Sequence, residues 1–358
     1  MYVYLFVLGL LVFLSLLLYK KNNGINIFLV ISFIILTIIT GFRNSSVGVD
    51  TEMYVRFFHL IKSIPINHFS NLRYEYGFSL ICKLLSYITS NYHIFLLIIS
   101  SFINFSVFHF IKKNSKNVYL SVMLYILCNF MFSSMNIMRQ SIAIGIILLG
   151  YEKLKDNKIY SYVIYVLIAS QIHLSSIVCL FFILFKKVNF NRKYIGLSLV
   201  ISFIMFMFGN QLLIHTASFS ERLALYLNSD YSKPNYFGAL LEFLVIFIQF
   251  IFGLLVIKKY KEHDLKDKNS NINTLVGILS MGIMISIISM RATIFNRFLP
   301  YCSIFLIVWL PTISNKIKNH KNRMFINVCV FSLFLIYFCV IGTFRPEWYG
   351  VIPYRFMD

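Results

Sequence analysis

Long apolar stretches recur along the whole chain, and short polar segments separate them. A helix that crosses a bilayer needs about 20 mostly apolar residues. Stretches near this length predict ten membrane-spanning helices, at 2–19, 25–42, 92–111, 118–134, 137–152, 194–210, 236–257, 273–290, 297–315 and 323–343. The pattern therefore predicts an all-α polytopic membrane protein, with residues 1–358 forming a single integral membrane domain.

Two further stretches do not fit a simple span. Residues 76–90 are amphipathic and include Lys83, which favours an interfacial or re-entrant helix at the outer face. Residues 159–185 are long enough for one tilted span, but Gln171 and His173 are polar positions near their centre. This second stretch is predicted either to span once or to form a broken or re-entrant pair of half-helices that meet near His173.

Composition supports this class of protein and argues against others. Only 13% of the residues are charged, whereas a soluble domain needs far more charge at its surface. Six scattered cysteines, with no C-x-x-C pair and no Cys/His cluster, argue against a disulfide framework and a zinc site. We therefore expect no metal and no cofactor. A net charge of +20 is typical of basic cytoplasmic loops and anionic headgroups here, so no nucleic acid partner is expected.

Lysines indicate how the helices are oriented. Six basic clusters hold 21 of the 33 basic residues, and only two of these 21 are arginine. The clusters begin at Lys20, Lys112, Lys153, Lys186, Lys258 and Lys316. Basic loops usually face the cytoplasm, and all six clusters can do so with ten spans only if residues 159–185 enter and leave on one side. This favours the half-helix pair, or two short spans, and it places loops 43–75 and 211–235 and the tail 344–358 on the outer side of the membrane.

Arginines follow a different distribution. Nine of the remaining twelve basic residues are arginine, and the rule that orients basic loops does not distinguish arginine from lysine. The planar guanidinium binds phosphate through two parallel hydrogen bonds and keeps its charge. The split therefore predicts a site for a phosphorylated ligand on the outer face. Alternatively, these arginines anchor helix ends in the phosphates of lipid headgroups.

Residues 41–54 carry the strongest local signal. Arg43 emerges from the second span, Gly48 permits a tight turn, and Asp50 lies where a helix could begin, with Tyr54 one turn later on the same face. An Arg–Asp–Tyr group at a membrane mouth is suited to binding and orienting a polar, lipid-linked substrate. Asp50 could instead simply cap the helix.

Three more residues are candidates for chemistry. Glu75 is a second carboxylate predicted at the outer face. An ion pair with Arg73 or Arg43 would also account for it, without a role in catalysis. Arg139 opens a span, where a buried arginine is costly and usually functional, although it could instead snorkel outward. His173 can exchange a proton near neutral pH, which glycosyl or phosphoryl transfer would use. It could also be a hydrogen-bonded histidine inside a helical bundle.

The remaining outer segments suggest ligand binding less specifically. Arg291, Asn296 and Arg297 lie in one short connection and form a plausible diphosphate clamp. The aromatic and polar residues of loop 211–235 suit sugar binding. Motifs for phosphate loops, H-E-x-x-H metal sites and D-x-D nucleotide-sugar sites are missing from the sequence, which argues against ATP-driven transport and cytoplasmic nucleotide-sugar transfer.

Three segments together resemble a known family. Residues 41–54, then Met138-Arg139-Gln140, then His173-Leu174-Ser175-Ser176, resemble the EpsG-like branch of the bacterial Wzy polymerases of O-antigen, capsule or exopolysaccharide. The positions that match are Arg43, Gly48, Asp50, Tyr54, Arg139 and His173. The resemblance implies a multi-pass protein of the bacterial inner membrane. It would join undecaprenyl-diphosphate-linked oligosaccharide repeat units at the periplasmic face, independently of metal and nucleotide.

The resemblance also implies partners and roles for the residues. The partners would be the lipid-linked donor and acceptor, membrane lipids and a chain-length regulator. An acceptor hydroxyl needs a base, for which His173, Asp50 and Glu75 are candidates, with His173 preferred if it reaches the outer cavity. Outer arginines would neutralise the diphosphate leaving group. The predicted catalytic residues are His173, Asp50, Arg139 and Glu75, and the predicted substrate-binding residues are Arg43, Tyr54, Arg291, Asn296 and Arg297.

Two other functions remain open from the sequence. A flippase or transporter of the same lipid-linked unit would have charges along a path that reaches both faces, with half-helices at the midplane. The non-lysine charges favour one face, and the chain has no convincing internal repeat. A ligase or acyltransferase of the same pathway commonly has a larger outer loop than residues 211–235 provide.

Overall fold

The structure is a computed structural model that describes residues 1–187, 192–208, 211, 214, 236–259 and 271–357. The regular secondary structure of these residues is helical, with helices joined by turns and loops, which confirms the predicted all-α class. The α-helices are α1 Tyr2–Leu18, α2 Gly24–Gly41, α3 Thr51–Ile61, α4 Tyr76–Ile88, α5 Tyr92–Asn114, α6 Val118–Leu127, α7 Phe130–Asn136, α8 Met138–Lys155, α9 Ile159–Ser170, α10 Phe182–Lys187, α11 Arg192–Met207, α12 Tyr236–Lys259, α13 Asn271–Ser289, α14 Leu299–Ser303, α15 Leu306–Asn315 and α16 His320–Phe344. Short 3₁₀ helices are Ile66–Asn71, Leu174–Phe181, Thr293–Phe298 and Pro346–Trp348.

The described helices confirm a multi-pass membrane protein but not the predicted count of about ten spans. Five helices are long and apolar enough to cross a membrane. The count reaches seven if each bent pair is one span, the pairs being α6 with α7 at 51° and Thr293–Ser303 with α15 at 43°. Among the other predicted spans, α1 has 17 residues and α11 has 16, so both are short. Helix α8 has charged residues at both ends, which shortens its apolar part.

The chain divides into two compact units. The first unit comprises Met1–Ile177 and Lys318–Asp358, and the second comprises Val178–Ile317. In the first unit, α5 packs against α2 and α8, and α8 packs against α9. In the second unit, α12 packs against α13 and α15. The predicted loop 211–235 lies almost entirely outside the described residues.

A buried polar network fixes three helices of the first unit. The Asn104 amide of α5 donates hydrogen bonds to the hydroxyls of Thr37 and Thr40 of α2, at 3.2 and 3.1 Å. The Tyr125 hydroxyl of α6 donates to the Asn104 side-chain oxygen at 3.2 Å. Because each buried group is paired, the network specifies the register of these helices.

The C-terminal tail returns to the segment that follows α2. The backbone N–H groups of Asn44 and Gly48 donate to the carbonyl oxygens of Arg355 and Gly350, at 3.0 and 2.8 Å. The Tyr4 hydroxyl of α1 donates to the carbonyl oxygen of Val351 at 2.9 Å. The tail therefore holds the segment 43–50 in place. That loop 43–75 and tail 344–358 face the periplasm stays a prediction.

The two stretches that did not fit a simple span differ in the structure. Residues 76–90 contain an amphipathic helix, and residues 159–185 contain an interrupted one. Residues 76–88 form the amphipathic α4, whose buried Lys83 donates hydrogen bonds to the carbonyl oxygens of Ile61, Lys62 and Ile64, at 3.1, 2.7 and 2.9 Å. This ammonium group therefore caps the C-terminal end of α3. Helix α9 ends at Ser170, and a 3₁₀ helix begins at Leu174. The predicted interruption at His173 is thus confirmed.

Candidate functional site

The segment 47–51 is fixed against the junction of α7 and α8. Gly48 has a φ of +97°, and a Cβ there would lie 2.7 Å from the carbonyl oxygen of Met135, so only glycine fits without strain. The Thr51 hydroxyl lies 2.7 Å from the Val47 carbonyl oxygen and 3.0 Å from that of Met135. This contact brings the start of α3 close to the first turn of α8, which contains Arg139.

Arg43 holds the segment 47–51 in place through hydrogen bonds to backbone oxygens. Its side chain is buried, with 1% of the residue exposed. The guanidinium donates to the carbonyl oxygens of Thr40, Val47 and Met135, with Nε 3.3 Å from Val47 and Nη2 3.1 Å from Met135. Burial lowers the pKa of Arg43 to about 10, against the opposing effect of neighbouring tyrosines. All three nitrogens are thus engaged with backbone oxygens. The predicted contact with substrate stays a prediction.

Glu75 joins two parts of the chain that are distant in sequence. One carboxylate oxygen, Oε2, accepts a hydrogen bond from Arg139 Nη1. The other, Oε1, lies 3.6 Å from His173 Nδ1 and accepts the backbone N–H of Leu174 at 3.3 Å. The Arg139, Glu75 and His173 side chains are 19%, 17% and 13% exposed. The ion pair considered from the sequence, with Arg73 or Arg43, is therefore made with Arg139 instead.

Gly77 permits the approach that brings His173 to Glu75. Its backbone N–H donates to the carbonyl oxygen of Gln171 at 2.8 Å. A Cβ on Gly77 would lie 2.6 Å from that oxygen and 2.9 Å from the Gln171 Cβ. The start of α4 therefore touches the turn after α9 because residue 77 has no side chain.

Aromatic rings hold the Arg139 guanidinium. Its central carbon lies 4.5 Å from the ring centroid of Tyr74 and 5.9 Å from that of Phe78, within the range of cation–π attraction. Tyr54 packs against both rings at 5.9 and 5.7 Å, and its hydroxyl is hydrogen-bonded to Arg139. Tyr54 and Arg139, predicted separately from the sequence, thus lie together.

Neighbouring residues determine the protonation states of Glu75 and Tyr54 beside Arg139. Burial raises the pKa of the Glu75 carboxyl, but the interaction with His173 and the charge of Arg139 outweigh it and lower that pKa to about 2. Burial raises the pKa of Tyr54 to about 12, although Arg139 acts in the opposite direction. At neutral pH, Glu75 is a carboxylate and Tyr54 a neutral phenol. Glu75 is accordingly a poor acceptor of protons.

Asp50 lies beside the same cluster. It precedes the first residue of α3, but its side chain makes no capping hydrogen bond to that helix. Its charge contributes to the raised pKa values of Tyr54 and Tyr74. The capping explanation from the sequence is therefore not supported, and the carboxylate belongs to the surroundings of Arg139.

In the second unit, the structure adds a carboxylate to the predicted diphosphate clamp. Arg291 follows α13, with its guanidinium 4.5 Å from the ring centroid of Phe206. Asn296 and Arg297 lie in the 3₁₀ helix Thr293–Phe298. Asn296 is hydrogen-bonded to Glu242 of α12. Sequence reasoning passed over Glu242, although an acidic residue within an apolar helix is itself a signal of function.

Metal binding was not expected from the sequence. Within the part of the chain that the structure describes, no group of three or more His, Cys, Asp or Glu residues is arranged to hold a metal ion.

A protein-family model matches most of the chain. The model of the EpsG family covers residues 26–356. The chain belongs to the EpsG family. This is the family of EpsG/Wzy-like polysaccharide polymerases, so membership gives the protein the role of a glycosyltransferase-like polymerase in a membrane. No curated protein and no solved structure gives a significant match to the chain.

Proposed function

We propose that this EpsG-family protein polymerises undecaprenyl-diphosphate-linked oligosaccharide repeat units at the periplasmic face of the bacterial inner membrane. The observation that carries the proposal is the placement of Glu75 between Arg139 and His173. It combines a cation for an anionic leaving group with an oriented imidazole for proton transfer. The growing chain is transferred from its lipid carrier to the non-reducing end of the next lipid-linked unit.

The reaction needs one base and one anion-stabilising group. The acceptor hydroxyl oxygen attacks the anomeric carbon of the donor sugar, and the bond from that carbon to the diphosphate oxygen breaks. The hydroxyl proton passes to the base, and undecaprenyl diphosphate leaves with the electron pair. The energy comes from the glycosyl–diphosphate bond of the donor.

His173 acts as the base in this proposal. Glu75 faces Nδ1, which favours the tautomer with the proton on Nδ1 and the lone pair on Nε2. The carboxylate also stabilises the imidazolium that forms when Nε2 takes the proton. A separation of 3.6 Å is longer than a full hydrogen bond, and such contacts commonly tighten when substrate is bound. With a pKa of about 2, Glu75 orients His173 rather than replacing it.

Arg139 stabilises the departing diphosphate. Its Nη1 is bound to Glu75, while its buried Nε has no hydrogen-bond partner among the described residues. The Tyr74 and Phe78 rings keep the guanidinium oriented. Preorganised donors in a site of low dielectric are worth far more than in water. Arg139 therefore has a remaining donor for a phosphate oxygen.

The other predicted residues have supporting or separate roles. Tyr54 and Asp50 contact substrate beside Arg139, and Asp50 is the second candidate for the base. Arg43 acts through the segment 47–51, because its nitrogens are bound to backbone oxygens. Arg291 and Arg297 of the second unit bind phosphate or headgroup oxygens.

We also propose the molecules with which the protein interacts. The partners are the lipid-linked donor and acceptor, the lipids of the inner membrane and a chain-length regulator. A reconstitution experiment tests the proposal: the purified protein should convert isolated lipid-linked repeat units into a ladder of longer products, and the His173→Gln variant should leave single units.

One observation favours a flippase as the second candidate. Among the described helices, two pairs are bent, by 51° and 43°, and broken helices are frequent at the binding sites of transporters. Cells that lack the protein separate the two functions. Loss of a flippase stops the export of repeat units, whereas loss of a polymerase leaves single exported units on their lipid carrier.

A further inference from the structure

Glu242 is an acidic residue inside an apolar helix of the second unit. It is the only acidic residue of α12, a 24-residue helix long and apolar enough to cross a membrane. A charged side chain at such a position is costly and usually marks a functional site. The proposed chemistry of the first unit makes no use of it.

Glu242 and its hydrogen-bond partner Asn296 each have one buried acceptor oxygen that lacks a donor among the described residues. The Asn296 amide N–H donates to the Glu242 carboxylate. The second carboxylate oxygen, Oε2, and the Asn296 side-chain oxygen, Oδ1, are both shielded from solvent and have no hydrogen-bond partner among the described residues. A buried acceptor without a donor is energetically costly. A ligand that brings donors would remove this cost.

The chemistry of the pair limits what the ligand can be. A phosphate at neutral pH offers mainly acceptors and cannot supply the missing donors, so it does not fit. A saccharide offers hydroxyl groups on adjacent carbons, each of which donates one hydrogen bond. Arg291, close in sequence to Asn296, has a buried Nε that also lacks a partner among the described residues. Hydroxyl oxygens can accept from such a donor, which a cationic ligand cannot do.

We propose that the second unit contains a saccharide-binding site in which Glu242 and Asn296 accept hydrogen bonds from sugar hydroxyls of the lipid-linked repeat unit. The inference rests on the proposed polymerase function and identifies residues of the second unit that bind its substrate. It also changes one sequence prediction, because Asn296 then binds sugar rather than phosphate.

A kinetic experiment on the full chain tests this site. The protein is reconstituted in lipid nanodiscs, and the probe is the undecaprenyl-diphosphate-linked repeat unit that accumulates in cells lacking the protein. Initial polymerisation rates are measured against the concentration of this probe for the wild type, Glu242→Gln and Asn296→Ala. We expect KM to rise about tenfold in each variant, because a hydrogen bond to the sugar is lost, with kcat within about threefold of the wild type.

Two controls make the outcomes distinct. Glu52→Gln makes the same chemical change at an exposed carboxylate, which is ion-paired with Arg56 on α3, and should leave KM unchanged. His173→Ala should lose turnover instead. Wild-type KM in both Glu242→Gln and Asn296→Ala would overturn the saccharide site while leaving the polymerase intact. A wild type that forms no polymer would overturn the proposed function and this site together. If Glu242→Gln does not fold, Asn296→Ala and Asn296→Ser decide the question by the same criterion.

Discussion

Glu75 Oε1 lies 3.6 Å from His173 Nδ1, and the backbone N–H of Leu174 donates to the same oxygen at 3.3 Å. This contact connects the start of α4 to the break after α9. In the proposed mechanism it determines which imidazole nitrogen accepts the proton. It also connects the base to Arg139, through the second oxygen of the same carboxylate.

Replacing Glu75 with glutamine tests the orienting role. The Glu75→Gln side chain keeps its size but loses the charge that stabilises an imidazolium, so kcat should fall about a hundredfold or more. Polymer formation by reconstituted protein measures this. The exposed Glu52→Gln serves as the control and should keep wild-type turnover. Unchanged turnover in Glu75→Gln would remove Glu75 from the mechanism.

Gly77→Ala tests the close approach of α4 to the turn that carries His173. The added methyl group would lie 2.6 Å from the Gln171 carbonyl oxygen, so the two segments must separate at a cost of about 1–3 kcal/mol. Both the thermal unfolding midpoint and turnover should fall. Gly9→Ala is the matched control, because nothing lies within 4 Å of a Cβ at that position of α1. If Gly77→Ala behaved like Gly9→Ala, the approach would have no functional importance.

The two buried arginines of the first unit should respond differently to lysine. Arg43→Lys loses hydrogen bonds to backbone carbonyl oxygens, each worth about 1–3 kcal/mol when the partner stays buried, so the unfolding midpoint should fall. Arg139→Lys keeps a cation for Glu75 but loses the planar fork, so turnover should fall by about tenfold or more while the protein stays folded. Equal stability of both variants, with turnover lost only in Arg43→Lys, would contradict these roles.

Stability should depend on Glu75 in acid. The folded-state pKa of about 2 lies below the ordinary value of 4.5, so the ionised carboxylate contributes stability at pH values above 4.5. That contribution is lost as the pH falls from about 4.5 towards 2. The unfolding midpoint of the wild type should therefore exceed that of Glu75→Gln at pH 7, and the difference should shrink by about pH 3. A difference independent of pH would mean that Glu75 is not an ionised partner of Arg139.

Part of this architecture is predictable from the sequence for simple physical reasons. Periodicity and apolar length predict the helical class and the amphipathic α4. Polar residues in an apolar stretch predict the break at His173. The count of spans differs because α1 and α11 are short and charged ends shorten the apolar part of α8. It differs also because α6 and α7 bend at Asn129, whose left-handed backbone conformation, with a φ of 61°, leaves no trace in hydropathy.

The candidate site was predictable as a set of residues but not as a set of contacts. Arg139, Glu75 and His173 each stand out locally, whereas their pairing depends on contacts between α4, α8 and the turn after α9. For Arg43, the sequence suggests a role that the observed contacts do not reveal. The distribution of arginines predicts a ligand-binding residue there, yet the three guanidinium nitrogens are bound to backbone carbonyl oxygens, and composition cannot distinguish these uses.

Polymerisation by reconstituted protein tests the central claim most directly. Wild type and His173→Gln, with equal unfolding midpoints, are supplied with the isolated lipid-linked repeat unit, and the products are separated by size. The account predicts a ladder of longer saccharides with the wild type and single repeat units with His173→Gln. A wild type that leaves only single units, or a His173→Gln variant that builds the ladder at the wild-type rate, would contradict it.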